Sequence, residues 1–365
     1  METIVDYIRW LQDIPFTVRD VNEVDSVVFS AISYMDLKDI LMDGQKLTVR
    51  ACCRLLLEKD NISPQHRELY EALEQSDRFG PVVVGRYRDT FEEQSTVQFS
   101  CMLLEVRRDL NYIVFRGTDD SIAGWKEDFM TSFTLTQGQK LAQRFLEKQI
   151  RSGIMYDIGG HSKGGNLAMY ALAQLEETKL KQVRRVYLQD APGLCPDVMD
   201  ISGLDRFRKK IVRMVPQYSV IGRLFENDIP VSYLVKSSAD GIMQHDIETW
   251  GIDHGKIMTA EEPDPGAQLV NDTVASWLGD VSTLEREKFF SEIFSMIQSG
   301  GARRVGEIDG NAVSSVLDGL KESSPETRDA VAKIPMAAIF GRYADKIWDL
   351  RLVRWVRTTP VAVNL

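Results

Sequence analysis

The stretch DIGGHSKGGNLAMYAL, Asp157–Leu172, carries the sharpest structural signal in the chain. A β-type run, Ile154–Gly160 (IMYDIGG), enters it and an apolar helical pattern, Gly165–Leu175 (GNLAMYALAQL), leaves it. Ser162 stands between them, with Gly160 and Gly164 two residues to either side. G-x-S-x-G alone is a weak signal; strand before, helix after and small flanking residues make it a nucleophile elbow. The glycines suit a strained backbone and the close approach of neighbouring segments. The helix N-terminus beyond favours a developing negative charge. Ser162 is therefore the candidate nucleophile.

On either side of that turn, the runs Pro81–Tyr87, Thr96–Val106 and Asn111–Gly117 are β-branched and aromatic and predict three strands. Gly138–Gly153 predicts a helix, and Val183–Asp190, Ile211–Pro216 and Val231–Ser238 predict further strands. Alternation of strand and helix implies βαβ units, a mostly parallel sheet and helices on both faces. Before residue 81 the pattern is helical: Ile4, Tyr7, Ile8 and Leu11 fall at helical spacing, as do Leu47–Asp60 and, behind Ser63-Pro64, Gln65–Gln75. From about Val281 the strand signal vanishes, and Thr283–Gly301 and the residues after it read as helix. The expected plan is a helical N-terminal lead-in (1–80), an α/β core with a mostly parallel central sheet (81–280) and a helical C-terminal extension (281–365).

The 365 residues, 44% hydrophobic and 27% charged, suit an ordinary soluble globular protein. A net charge of -10 argues against nucleic-acid binding; the short basic, aromatic stretch Arg351–Arg357 reads as one helix face. Cys52, Cys53, Cys101 and Cys195 make no metal-ligand spacing and read as buried thiols of a reducing compartment. The opening residues carry early acids and no unbroken apolar core, so no signal peptide is expected. No run reaches the roughly 18 apolar residues of a membrane span. The expectation is a cytoplasmic protein with neither metal nor organic cofactor.

A serine hydroxyl needs a base, and the chain has four histidines. His66 lies in the lead-in. His161 adjoins Ser162, where neighbouring side chains diverge, so it suits packing beside the site rather than proton transfer. His245 follows the last predicted strand, where the order Ser…acid…His puts the base; His254 is the competitor. Asp190 ends the strand after the nucleophile helix and is the candidate acid, ahead of Asp246 and Asp253. One strand later, Val215–Gly222 offers Ser219 but no carboxylate. Oxyanion donors are expected from the backbone N–H of Lys163 and from Thr118, on the turn after Asn111–Gly117.

Those residues carry a resemblance. Tyr112–Phe129 (YIVFRGTDDSIAGWKEDF) resembles the class 3 lipase segment in which an F-R-G-[ST] turn supplies an oxyanion donor, followed by a lid carrying W-x-x-D, here Trp125 and Asp128. With Gly159–Ala168 it spans the core from Tyr112 to Leu172. Over most of its length the chain resembles a lipase-like bacterial family of unknown function related to class 3 lipases, in its opening Asp6–Asp36 and in Gly241–Asp246. The resemblance implies the α/β-hydrolase fold and supports His245 over His254. One departure stands out: class 3 lipases carry their acid after the strand that here reads IVRMVPQYSV, Ile211–Val220, and this sequence has none there. Asp190 is similar in place to the acid of pancreatic-type lipases; without it a Ser-His dyad or a degenerate site would remain.

The leading expectation is a serine hydrolase acting on a small-molecule carboxylic ester or lipid-like substrate through an acyl-enzyme on Ser162. A catalytically idle scaffold of the same fold is the alternative. A third reading, peripheral membrane contact, rests on the helical tail and on Ile122, Trp125, Phe129 and Phe133 as a lid. The sequence leaves the oligomeric state open.

Overall fold

The structure is a computed structural model that describes residues 1–41, 44–92, 97–118, 126, 135–225, 227–301 and 310–328. Its centre is an eight-stranded sheet whose spatial order follows the chain. The strands are β1 Leu47–Thr48, β2 Val83–Glu92, β3 Val97–Arg107, β4 Leu110–Phe115, β5 Met155–His161, β6 Val183–Gln189, β7 Ile211–Pro216 and β8 Tyr233–Val235. From β1 to β4 the neighbours are antiparallel, and from β4 to β8 they are parallel. Every expected strand is present. The two-residue β1 lies inside a stretch that the periodicity assigns to helix, because two residues carry no period of their own. The helix there begins at Val49, capped by the Thr48 hydroxyl.

Alternation along β4 divides the core. Tyr112 and Val114 face one way, into a cluster with Ile4 and Ile8 of helix α1 (Ile4–Trp10) and Val24, Val27, Val28 and Phe29 of helix α2 (Glu23–Ser33). Ile113 and Phe115 face the other way, against Phe145, Leu146, Leu167 and Ala168. Those last four belong to the helices Gln137–Gln149 and Lys163–Ala173 that flank β5. Helices thus cover both faces, but not through crossovers alone: parallel strands that advance in chain order put both right-handed crossover helices on one face, and α1 and α2 cover the other. The N-terminal residues complete one of the two faces.

Helix α2 is almost entirely buried. Asn22 and Asp25 cap it reciprocally, and Asp25 also receives the guanidinium of Arg78 (2.6 Å), with both side chains fully buried. Arg78 directs its other donors to the carbonyls of Ile14, Arg19 and Asp20, so one ion pair closes the lead-in over α2. A third apolar cluster joins Val220, Ile221 and Leu224, in the loop after β7, to Trp277, Phe289, Phe290, Ile293 and Phe294 of the helices Pro265–Asp280 and Thr283–Ser299. The four cysteines are free and buried. No helix among the described residues is long and apolar enough to cross a membrane.

Candidate active site

Parallel strands bring their carboxyl ends to one edge, the usual address of a site in an α/β sheet. Here the ends are level: Phe115 pairs with Gly160, His161 with Gln189, Gln189 with Met214 and Pro216 with Val235. Each candidate residue follows one of these ends.

Ser162 follows β5 with φ 55° and ψ -131°, a region that L side chains avoid and that costs of order 1–3 kcal/mol. It holds because its neighbours leave no alternative. Its N–H donates to Gln189 O (2.9 Å) and its carbonyl accepts from the Gly165 N–H (3.0 Å). A Cβ on Gly164 would stand 2.0 Å from Phe115 O, and one on Gly160 would stand 2.4 Å from the Gly164 carbonyl carbon. Strand and helix can cross this closely only without side chains. Ser162 stands at the N-cap position of helix Lys163–Ala173, and its side chain makes no capping hydrogen bond. The Lys163 side chain is fully buried.

Asp190 follows β6 and is almost wholly buried, with φ 43°. Its Oδ2 meets His245 Nδ1 at 2.6 Å, and its Oδ1 accepts from the Ser219 hydroxyl at 2.5 Å. A Cβ on Gly222 would stand 2.1 Å from that same Oδ1. Facing a carboxylate, Nδ1 of His245 carries a hydrogen. His245 ends a 3₁₀ turn, Gly241–His245, beyond β8. Its ring lies 4.5 Å, centroid to centroid, from that of His161, the residue before Ser162. Among the described residues Ser162 Oγ makes no hydrogen bond to His245.

The structure therefore brings Asp190 and His245 into contact and sets them beside the Ser162 turn. The turn after β4 completes the group: a Cβ on Gly117 would lie 3.2 Å from Ser162 Cβ, so Thr118 follows directly on the segment flanking the serine. His254 lies elsewhere, on an exposed hairpin turn paired with its neighbour Asp253, and His66 stacks on Tyr70 in helix Pro64–Gln75. Ile122, Trp125, Asp128, Phe129 and Phe133, read as a lid, and the basic stretch Arg351–Arg357 lie outside the described residues.

Several residues that the sequence left unassigned hold the site together. Asn166, one turn into the helix after Ser162, donates to Gly193 O (2.7 Å) and accepts from Gln139 Nε2 (2.9 Å). It ties that helix to the turn after Asp190. Gln189 is gripped from below by α2: its Oε1 accepts from Ser30 Oγ and its Nε2 donates to Ser26 Oγ, both at 3.0 Å. Ser219, at the position lacking the expected carboxylate, bonds the carboxylate that stands instead after β6. Its carbonyl in turn accepts from Asn271 Nδ2 (2.8 Å). Burial and the neighbouring His245 hold the His161 imidazole well below its ordinary pKa, so it is neutral. Among the described residues no group of three or more His, Cys, Asp or Glu has the arrangement of a metal site.

The Mbeg1-like family model matches residues 73–295, which include every residue of the Ser162, Asp190 and His245 cluster. The chain belongs to the Mbeg1-like family. This Mbeg1-like chain has an α/β fold, with a mostly parallel sheet, flanking helices and a serine on a strained strand-to-helix turn. One solved structure, titled "Crystal structure of M37 lipase", is similar at 15% identity and a TM-score of 0.38, covering 90% of this chain and 99% of that one. No curated protein matches the Mbeg1-like chain.

Proposed function

We propose that the protein is a serine hydrolase of carboxylic esters. The observation that carries this reading is the 2.6 Å contact of Asp190 Oδ2 with His245 Nδ1 beside the strained Ser162 turn. With Nδ1–H held by Asp190, the Nε2 lone pair of His245 is the acceptor for the Ser162 proton. Ser162 Oγ then attacks the acyl carbon. The carbonyl oxygen gathers negative charge between the Lys163 N–H, at the helix N-terminus, and Thr118. His245 returns the proton to the leaving alkoxide, and an acyl-enzyme remains. Water, deprotonated by His245, attacks the acyl carbon, and collapse of the second tetrahedral state restores Ser162 and releases the acid. Asp190 orients the ring and balances its positive charge throughout; the Ser219 hydroxyl fixes the other carboxylate oxygen. Contacts between nucleophile and base often tighten only when substrate is bound, and this reading requires that closure between Ser162 and His245. The substrate class is a small-molecule ester or lipid-like acyl compound.

A second reading, a scaffold that keeps the fold without the chemistry, draws on one observation: Ser162 Oγ and His245 are not hydrogen-bonded among the described residues. One experiment separates the two. The purified protein is treated with a fluorophosphonate beside S162A and H245A, with and without detergent, and the labelled peptide is mapped. The hydrolase reading expects labelling at Ser162 that both substitutions abolish. A folded wild type that stays unlabelled in detergent supports the scaffold.

A further inference from the structure

We propose that Tyr34 and His161 are positioning residues that set His245 against Ser162, a role that rests on the ester-hydrolase reading above. A carbonyl fixes the direction of the bonds. His161 Nε2 lies 2.8 Å from the backbone oxygen of His245, and a carbonyl oxygen can only accept. Nε2 of His161 therefore carries the hydrogen. In the neutral ring that leaves a lone pair on Nδ1, which lies 2.7 Å from the Tyr34 hydroxyl. Tyr34 donates, and the chain runs in one direction: Tyr34 O–H to His161 Nδ1, then His161 Nε2–H to His245 O. The burial that keeps His161 neutral agrees with this single tautomer.

The consequence for His245 is a clamp on both its ends. Asp190 holds its ring and His161 holds its carbonyl. The residue before it is held too: the Trp250 indole donates to Gln244 O (2.9 Å), and Gln244 Oε1 accepts from the Tyr218 N–H (2.9 Å). Of these restraints only the one from His161 is covalently continuous with the nucleophile, because His161 directly precedes Ser162. It is the one that fixes base relative to serine.

Tyr34 is placed as tightly. It follows α2, whose Ser26 and Ser30 grip Gln189 at the foot of the same site. A Cβ on Gly117 would stand 2.4 Å from the Tyr34 hydroxyl and 2.7 Å from His161 O. Tyr34 thus reaches His161 only because the turn leading to Thr118 has no side chain there. One hydroxyl touches both the turn expected to bind the oxyanion and the ring expected to hold the base.

The test pairs chemistry with a direct view of the tautomer. Histidine-labelled wild-type protein is examined by ¹⁵N NMR at neutral pH. Fluorophosphonate labelling rates, and kcat and KM on an ester that the wild type turns over, are measured for Y34F, H161Q and H161L, with melting to verify folding. His161 is expected as the neutral Nε2–H tautomer in the wild type and, since the His245 carbonyl still accepts, in Y34F as well, with the Nδ1 resonance shifted by loss of the Tyr34 hydroxyl. Y34F is expected to label Ser162 about tenfold more slowly, with kcat reduced and KM unchanged, since small misplacements of a reacting group are costly. H161Q, whose amide can still donate to the His245 carbonyl, is expected to keep more activity than H161L. Y34F removes one oxygen and tests the chain even if H161L fails to fold. An Nδ1–H tautomer at His161 in the wild type overturns the proposal. So do Y34F and H161L that label at the wild-type rate. A folded wild type that never labels overturns the hydrolase reading itself, and is thereby told apart from those failures.

Discussion

Among single residues, the site depends on atoms that are absent as much as on those present. Gly164 has no room for a methyl group, since its Cβ would meet Phe115 O at 2.0 Å. G164A is expected to lose about 1–3 kcal/mol by overpacking, read from urea denaturation, and with it the labelling at Ser162. Asp190 makes a different demand. D190N preserves the shape, but its amide can donate as well as accept, and the His245 tautomer is no longer dictated. Ester turnover is expected to fall by about 10⁴ with the melting temperature little changed. His161 carries a signature in stability. Its folded pKa is depressed while the unfolded ring titrates near 6.5. Below that pH the unfolded chain binds a proton that the folded chain refuses, so stability falls with decreasing pH, by up to about 1.4 kcal/mol per unit. The loss begins near pH 6.5 and continues down to the folded pKa. Parallel unfolding titrations of wild type and H161Q, subtracted, are expected to show a slope of that sign; a flat difference would remove the assignment.

Among strands and helices, the strand ends were legible and the struts between them were not. Ser162, Asp190 and His245 could be read because each follows a run with a β pattern, and parallel strands deliver their carboxyl ends to one edge. Ser219 was visible only as a missing carboxylate. That it would bond Asp190 depends on the loop between Pro216 and Ile221, which no periodicity describes. Tyr34 was hidden for a related reason: it ends a helix that reads as lead-in, and its partner is 127 positions away. Nor does a two-residue strand such as β1 announce itself. The Asp25–Arg78 pair belongs with these struts, since it seals α2 under the N-terminal loop. R78L leaves a buried carboxylate with Tyr7 and Asn22 for company, and a loss of about 3–5 kcal/mol is expected. Urea denaturation measures it. The labelling rate should drop as well, because α2 carries Ser26 and Ser30 and ends at Tyr34.

Across the full fold, three apolar clusters flank the sheet and its loops. The third reaches the site through the loop after β7, where Val220, Ile221 and Leu224 pack under Trp277 and Phe289 while Asn271 holds the Ser219 carbonyl. If these helices fold with the sheet, W277A costs about 3–5 kcal/mol in one cooperative transition. Two separate transitions, monitored by tryptophan fluorescence and by circular dichroism, would instead make them an independent unit.

Gln189 has a last consequence. Its backbone oxygen holds the Ser162 N–H and its own next neighbour is Asp190, so the proposed nucleophile and acid share one residue as their common mount. The proposed base, His245, arrives on a separate turn beyond β8, held by Asp190 at its ring and by His161 at its carbonyl. Of the three alignments the proposed machine must keep, one is set by a single casting and the other two by hydrogen bonds made across a gap. Variation that retunes this site acts on the bonds that hold His245: those from Asp190, from His161 and, behind His161, from Tyr34.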